Sequence, residues 1–166
     1  LDPWGRRFDP GGSLDQLLTA EVATSLDRLV ADAPSPADWL ERWRRADVAA
    51  EEVLVRELAG GLSEPAIARA TTEAARAGGA HLVVSSSMPV RDVEWYGVRG
   101  GRVHSNRGAN GIDGVVSTTV GVAVGSGRPT FGVLGDLAFL HDTNGLLALK
   151  GEAVDCTLVV IDNDGG

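Results

Sequence analysis

Apolar residues recur at helical spacing in the first half of this chain and gather into short unbroken runs in the second. Residues 1–13, rich in Trp, Arg, Gly and Pro, read as an irregular connection. From there apolar residues fall at 14, 17, 18, 22, 26, 29 and 30, which predicts a helix over 14–31 capped by Ser13. Ala33-Pro34-Ser35-Pro36 is the clearest break in the chain. A second helical pattern covers 37–58 and opens with Trp39, Leu40 and Trp43; the Trp39/Trp43 pair reads as core or an interdomain contact. Gly60-Gly61 stops it, and Ser63-Glu64-Pro65 opens a third helix over 65–77, with proline in its favoured first turn.

The period changes after residue 80. Residues 81–85 form a short β-branched run, 88–95 a helical turn or short helix, and 102–105 a strand. A glycine-punctuated segment over 108–127 has a helical core, where Gly121 and Gly125 read as small residues that permit close packing. Buried strands follow at 130–134 and 156–161, separated by a helix at 138–150. Strands alternating with helices predict an α/β fold, a parallel sheet with helices on both faces.

Two of the apolar runs end in polar clusters. Gly135-Asp136 closes one and Asn163-Asp164-Gly165-Gly166 the next, with Asn163 following Asp136 by 27 positions. That gap holds one βαβ crossover, so both clusters fall at the carboxyl ends of neighbouring parallel strands, where open α/β sheets bind ligands. Asp136, the amide oxygen of Asn163 and a carbonyl near Gly165 are hard oxygen donors, of the kind Mg²⁺ takes in small number beside phosphate oxygens and water. The helix after Asp136 aims its amino end at the same crevice, and free N–H groups there attract phosphate. A Mg²⁺–diphosphate site is the expectation. His141 and Asp142, on the same helix, read as solvated or packing residues.

Composition narrows the partners. A formal charge of −8 over 166 residues disfavours nucleic acid or an anionic membrane as the main partner. Apolar stretches reach about ten residues, short of the roughly 20 that span a bilayer. A single cysteine, Cys156, cannot pair internally and fits a reducing cytoplasm. The start at Leu1 and the stop at Gly166, where a site is forming, read as a piece of a longer polypeptide. Against the acidic whole, Arg91, Arg99, Arg102 and Arg107 outnumber Asp92 and Glu94 over 91–107, which suits an anionic small molecule.

Two further motifs precede the diphosphate candidate. In SSSMPVRD (85–92) three hydroxyl residues sit at a strand-to-helix turn, and Ser87 before Pro89 reads equally as a helix cap. In SNRGANGIDG (105–114) small residues describe a tight turn entering a helix.

These residues carry a resemblance. GDLAFLHD followed by IDNDGG resembles the metal and diphosphate motif of thiamine-diphosphate enzymes. Together with SSSMPVRD and SNRGANGIDG, in that order, it is similar to the menaquinone-pathway synthases that make 2-succinyl-5-enolpyruvyl-6-hydroxy-3-cyclohexene-1-carboxylate. The resemblance covers residues 63–166 well and the helical stretch before it only loosely. It implies a tail of a middle domain over 1–35, a connecting helix over 36–62, and a truncated diphosphate domain over 63–166. Asp136, Asn163 and the Gly165 carbonyl would then hold Mg²⁺ or Mn²⁺. Ser86, Ser87, Gly135, Leu137, Ala138 and Gly166 would contact thiamine diphosphate, and Ile112 would be the apolar prop that bends it. Ser87, Arg91 and Arg107 would meet substrate carboxylates; arginine's planar fork suits that task.

The implied reaction is decarboxylation of 2-oxoglutarate and addition of the succinyl carbanion to isochorismate. The glutamate that activates the cofactor would lie upstream, in the protein's own pyrimidine-binding domain. The site would span two protomers of a homo-oligomer, leaving this piece alone inactive. Two positions depart from the general thiamine pattern: Leu137 replaces a glycine and Asp162 the first of two asparagines. Another thiamine enzyme, acetolactate-synthase-like or a 2-oxo-acid decarboxylase, and a non-catalytic acidic α/β binding module remain as alternative readings.

Overall fold

Four strands, β1 (His81–Val84), β2 (Arg102–Ser105), β3 (Thr130–Gly135) and β4 (Cys156–Ile161), pair entirely in parallel in the order β2-β1-β3-β4. The expected α/β architecture is therefore present. The computed structural model describes residues 2–6, 8–29, 36–106, 111–151 and 153–165. The chain divides into two units, residues 1–49 and 50–166, and the sheet belongs to the second.

Strand residues alternate between two cores, as pleating requires. Leu82, Val84, Val133 and Ile161 pack with Ala75 of α3 (Glu64–Ala77) and with Val90 and Val93 of α4 (Met88–Tyr96). On the opposite face, Leu134 and Leu158 meet Val115 and Val116 of α5 (Val115–Ser126), Ala138 of α6 (Asp136–His141), and Leu146 of a 3₁₀ segment (Thr143–Lys150). Gly132 lets α5 sit close to the sheet, since a Cβ there would lie 2.8 Å from Thr119 Oγ1 and 2.9 Å from Leu158 Cδ2.

Several sequence expectations are corrected. The first helix, α1, covers only Val22–Leu29 instead of starting at residue 14. Ser13 caps nothing; its N–H and that of Leu14 donate to the Asp9 carboxylate at 3.0 and 3.2 Å. Leu14, Leu17 and Leu18 stay exposed, so no burial among the described residues offsets the cost of nucleating a longer helix. The expected break at Ala33-Pro34-Ser35 lies outside the described residues.

α2 (Trp39–Leu58) buries none of its residues. Trp39 and Trp43 tilt against each other at 6.0 Å and remain exposed, not in a core. The helix expected over 138–150 breaks at Asp142, whose carboxylate accepts from Ser117 N at 2.6 Å and Ser117 Oγ at 2.9 Å. Gly145 presses on the same serine, leaving 2.7 Å between a hypothetical Cβ and Ser117 N. Gly121 and Gly125 do not make the expected close packing, because a Cβ at either would meet open space.

One core group is out of character. Asp92 on α4 is 1% exposed, and its Oδ2 has no partner among the described residues. Burial raises its pKa above the ordinary 3.8, and the charge of Glu64 raises it further. An acid with a raised folded-state pKa is harmless below its unfolded value and costs stability as pH climbs from there through the folded value.

Two outcomes are expected of the full-length protein. Asp92→Asn should stabilise it at neutral pH and flatten the decline in urea midpoint above pH 3.8, with little change below; a variant declining as steeply as the parent would contradict the assignment. Gly132→Ala should cost about 1–3 kcal/mol by overpacking against Thr119 and Leu158, read as a lowered urea midpoint at unchanged slope.

Candidate functional site

The chain passes outward from β1 to β2 and then crosses back over β1 to β3. The β1/β3 boundary is therefore the point where strand order reverses, and its carboxyl end is the ligand crevice of such sheets. A cavity of about 270 Å³ opens there, lined by segments from five places in the sequence.

The first wall follows β1. Ser85 is buried and extends the pairing, its N–H donating to Val133 O at 2.9 Å. Ser86, Ser87, Met88 and Pro89 then line the cavity. Ser87 has φ 72 and ψ −132 and makes no side-chain cap bond, so the capping reading fails. A non-glycine residue in that conformation costs on the order of 1–3 kcal/mol, a cost met mainly at ligand-binding turns.

A second wall is the turn before α5. Gly111 lies against Ser86, where a Cβ would come within 2.7 Å of Ser86 Cβ. The Asn106 side-chain amide ties the turn down, with Nδ2 donating to Asp113 O (3.2 Å), Gly114 O (3.1 Å) and Thr118 Oγ1 (2.8 Å). Ile112 is held between these anchors, facing the cavity and flanking the α5/α6 core. Arg107 and residues 108–110 lie outside the described residues.

The third wall joins β3 and β4. In register, Gly135 pairs with Ile161, so Asp136 and the 162–165 turn leave the sheet side by side. Asp136, Leu137, Ala138, Asn163 and Gly165 all line the cavity. Asp136 Oδ1 accepts from Leu137 N at 2.8 Å. Asp162 shapes the turn, its Oδ1 accepting from Asp164 N at 3.1 Å, while Asp164 (φ 68) and Gly165 (φ 84) carry the backbone through the left-handed region. Asn163 Nδ2 donates to Glu64 Oε1 at 3.2 Å, from the first turn of α3.

The structure thus gathers Ser86, Ser87, Ile112, Gly135, Asp136, Leu137, Ala138, Asn163 and Gly165 around one cavity. It does not place Arg91 there: that residue is exposed on α4, one turn beyond Ser87. Gly166 lies outside the described residues. Sequence reasoning misses Glu64, which reads there only as part of a helix start. Its partner is 99 positions away, and no local spacing reports such a contact. A larger cavity of about 600 Å³ lies along α5 and the 3₁₀ segment, but its one charged lining residue, Asp142, is already bonded to Ser117.

By chemistry the donors suit a magnesium ion: a carboxylate, an amide whose NH₂ is bonded to Glu64, and a backbone carbonyl, on adjacent strand ends. Glu64 and Asp136 are the charged residues in the described lining, so a bare diphosphate would be repelled without a cation beside it.

No family model matches the chain. Among curated proteins, a 2-succinyl-5-enolpyruvyl-6-hydroxy-3-cyclohexene-1-carboxylate synthase from Rubrobacter xylanophilus is 44% identical over 169 residues, covering 96% of this chain and 29% of the relative. Proteins of the same name from Chloroflexus aurantiacus (43% identical, 79% of this chain, 23% of the relative) and Halorubrum lacusprofundi (40% identical, 100% of this chain, 29% of the relative) align similarly. The chain spans less than a third of the length of these relatives. Identity at this level, along up to the whole chain, makes it a portion of a member of the 2-succinyl-5-enolpyruvyl-6-hydroxy-3-cyclohexene-1-carboxylate synthase family.

Proposed function

We propose that the full-length protein is a thiamine-diphosphate- and Mg²⁺-dependent synthase of menaquinone biosynthesis. It would decarboxylate 2-oxoglutarate and join the four-carbon remainder to isochorismate. One observation carries the reading: the cavity at the β1/β3 reversal brings together residues from all three motifs.

Asp136, Asn163 and the Gly165 carbonyl would hold Mg²⁺ against the diphosphate, with backbone groups of Gly135, Leu137 and Ala138 beside it. The Leu137 N–H is bonded to Asp136 in the present arrangement, so a phosphate oxygen there would take the place of that carboxylate oxygen. When bound, thiamine diphosphate supplies the electron sink for decarboxylation. Ile112 is apt as the apolar support for a bent cofactor, since its turn is fixed by Asn106 and Gly111 and it offers no competing hydrogen bond. Ser87 at the rim and Arg91 one turn outward would receive a donor carboxylate, with Arg107 assigned the same task. The activating glutamate would come from the upstream pyrimidine-binding domain and the rest of the site from a second protomer.

Calorimetric titration of the full-length protein tests the cofactor. Thiamine diphosphate should bind with Mg²⁺ and fail to bind in chelator, and Asp136→Ala should remove the heat. Binding that ignores metal, or that survives Asp136→Ala, overturns the reading. Ile112→Ala should lower kcat on the order of 10²-fold through misplaced cofactor geometry, with a smaller change in cofactor affinity; steady-state kinetics beside the same titration separates the two.

A further inference from the structure

We infer that Glu64 is a positioning residue which fixes the orientation of the Asn163 amide and thereby presents its oxygen to the cation. The inference rests on the metal-site reading above and adds a group that none of the three motifs contains.

The physical basis is an asymmetry between two side chains. A terminal amide can turn over by half a rotation with almost no change in shape, exchanging an acceptor oxygen for two donor hydrogens. For a cation ligand the exchange is decisive, because the wrong face directs N–H groups at a positive ion. A carboxylate has no such ambiguity and only accepts. Glu64 Oε1 lies 3.2 Å from Asn163 Nδ2, so the pair is bonded only when the amide NH₂ points at Glu64. Asn163 Oδ1 then faces away from Glu64, and among the described residues it accepts no hydrogen bond.

Both members are held from behind. Glu64 is the first residue of α3, between the capping Ser63, whose Oγ accepts from Ala66 N at 3.3 Å, and Pro65. The helix is held through buried Ala68, Thr71, Thr72 and Ala75, with Ala75 in the sheet core and Thr72 Oγ1 accepting from Val98 N at 3.0 Å. Asn163 sits in a turn whose backbone is set by the Asp162–Asp164 bond and the positive φ of Asp164 and Gly165. With both backbones set, the hydrogen bond to Glu64 selects one face of the amide over the other. Glu64 and Asn163 also line the same cavity as Asp136 and Gly165, so the oriented amide belongs to the donor set.

A double-substitution cycle tests this on the full-length protein with thiamine diphosphate present, using Mn²⁺ as the probe and electron paramagnetic resonance to count free ion. Glu64→Gln keeps size but can either donate or accept, so it loses the selection; Mn²⁺ affinity should fall about 10–100-fold, the usual loss when an outer partner of a metal ligand is removed. In an Asn163→Asp background the ligand is a carboxylate with two equivalent acceptors and no wrong orientation. There Glu64→Gln should leave Mn²⁺ affinity unchanged or improve it, because the substituted amide can donate to the carboxylate that Glu64 repelled. Thermal midpoints close to the parent's show that the variants fold.

Equal losses in both backgrounds would mean that Glu64 acts on the ion directly, as a ligand or a bare charge, and would overturn the inference. So would an unchanged affinity in Glu64→Gln alone. Failure of the underlying reading looks different: Asp136→Ala would then leave Mn²⁺ binding intact.

Discussion

Parallel pairing of β3 with β4, in the register that sets Gly135 opposite Ile161, is the constraint on which the site depends. A shift by one residue would turn every side chain of β4 to the other face of the sheet. Ile161 would leave the core it shares with Leu82, Val84 and Val133, and Asn163 would be carried away from Asp136 and Glu64. Burial of Ile161 therefore holds the site as well as the fold. The hydrophobic pattern of the strands sets the register, and the register delivers the polar turn residues.

Around that pair, the structure gives up local stability for close approach. Ser87 occupies a backbone region suited to glycine, Gly111 lies against Ser86, and Asn106 gives one amide to three acceptors to hold the following turn. Asp92, on the helix that follows Ser87, is buried without a partner for Oδ2 among the described residues. Of these segments, Ser86, Ser87 and Ile112 line the cavity at the β1/β3 reversal, the end of such sheets where ligands bind and where strained backbone is tolerated.

Much of this is legible in the sequence. β1, β3 and β4 are short apolar runs between polar clusters, which read as strands of a parallel sheet, although β4 leaves Thr157 and Val160 exposed and is less buried than the sequence suggests. The crossover length between Asp136 and Asn163 is enough to place two polar clusters at one sheet end. Other features escape for physical reasons. The apolar spacing over 14–31 satisfies a helix pattern, but a pattern folds where there is a surface to bury against, and Leu14, Leu17 and Leu18 meet none among the described residues. The break at Asp142 comes from Ser117, and the role of Glu64 from Asn163; both are long-range bonds that local periodicity cannot report. Arg91 stands close to Ser87 in sequence, yet the helix between them carries it out of the cavity wall.

Anomalous diffraction from crystals of the full-length protein, grown with Mn²⁺ and thiamine diphosphate, tests the central claim most directly. The expected result is one manganese peak within bonding distance of oxygens of Asp136, Asn163 and the Gly165 carbonyl, near the roughly 2.1 Å that Mg²⁺ keeps, with the cofactor's diphosphate completing its coordination. A manganese ion seated elsewhere, or a diphosphate bound away from the ends of β3 and β4, would contradict it.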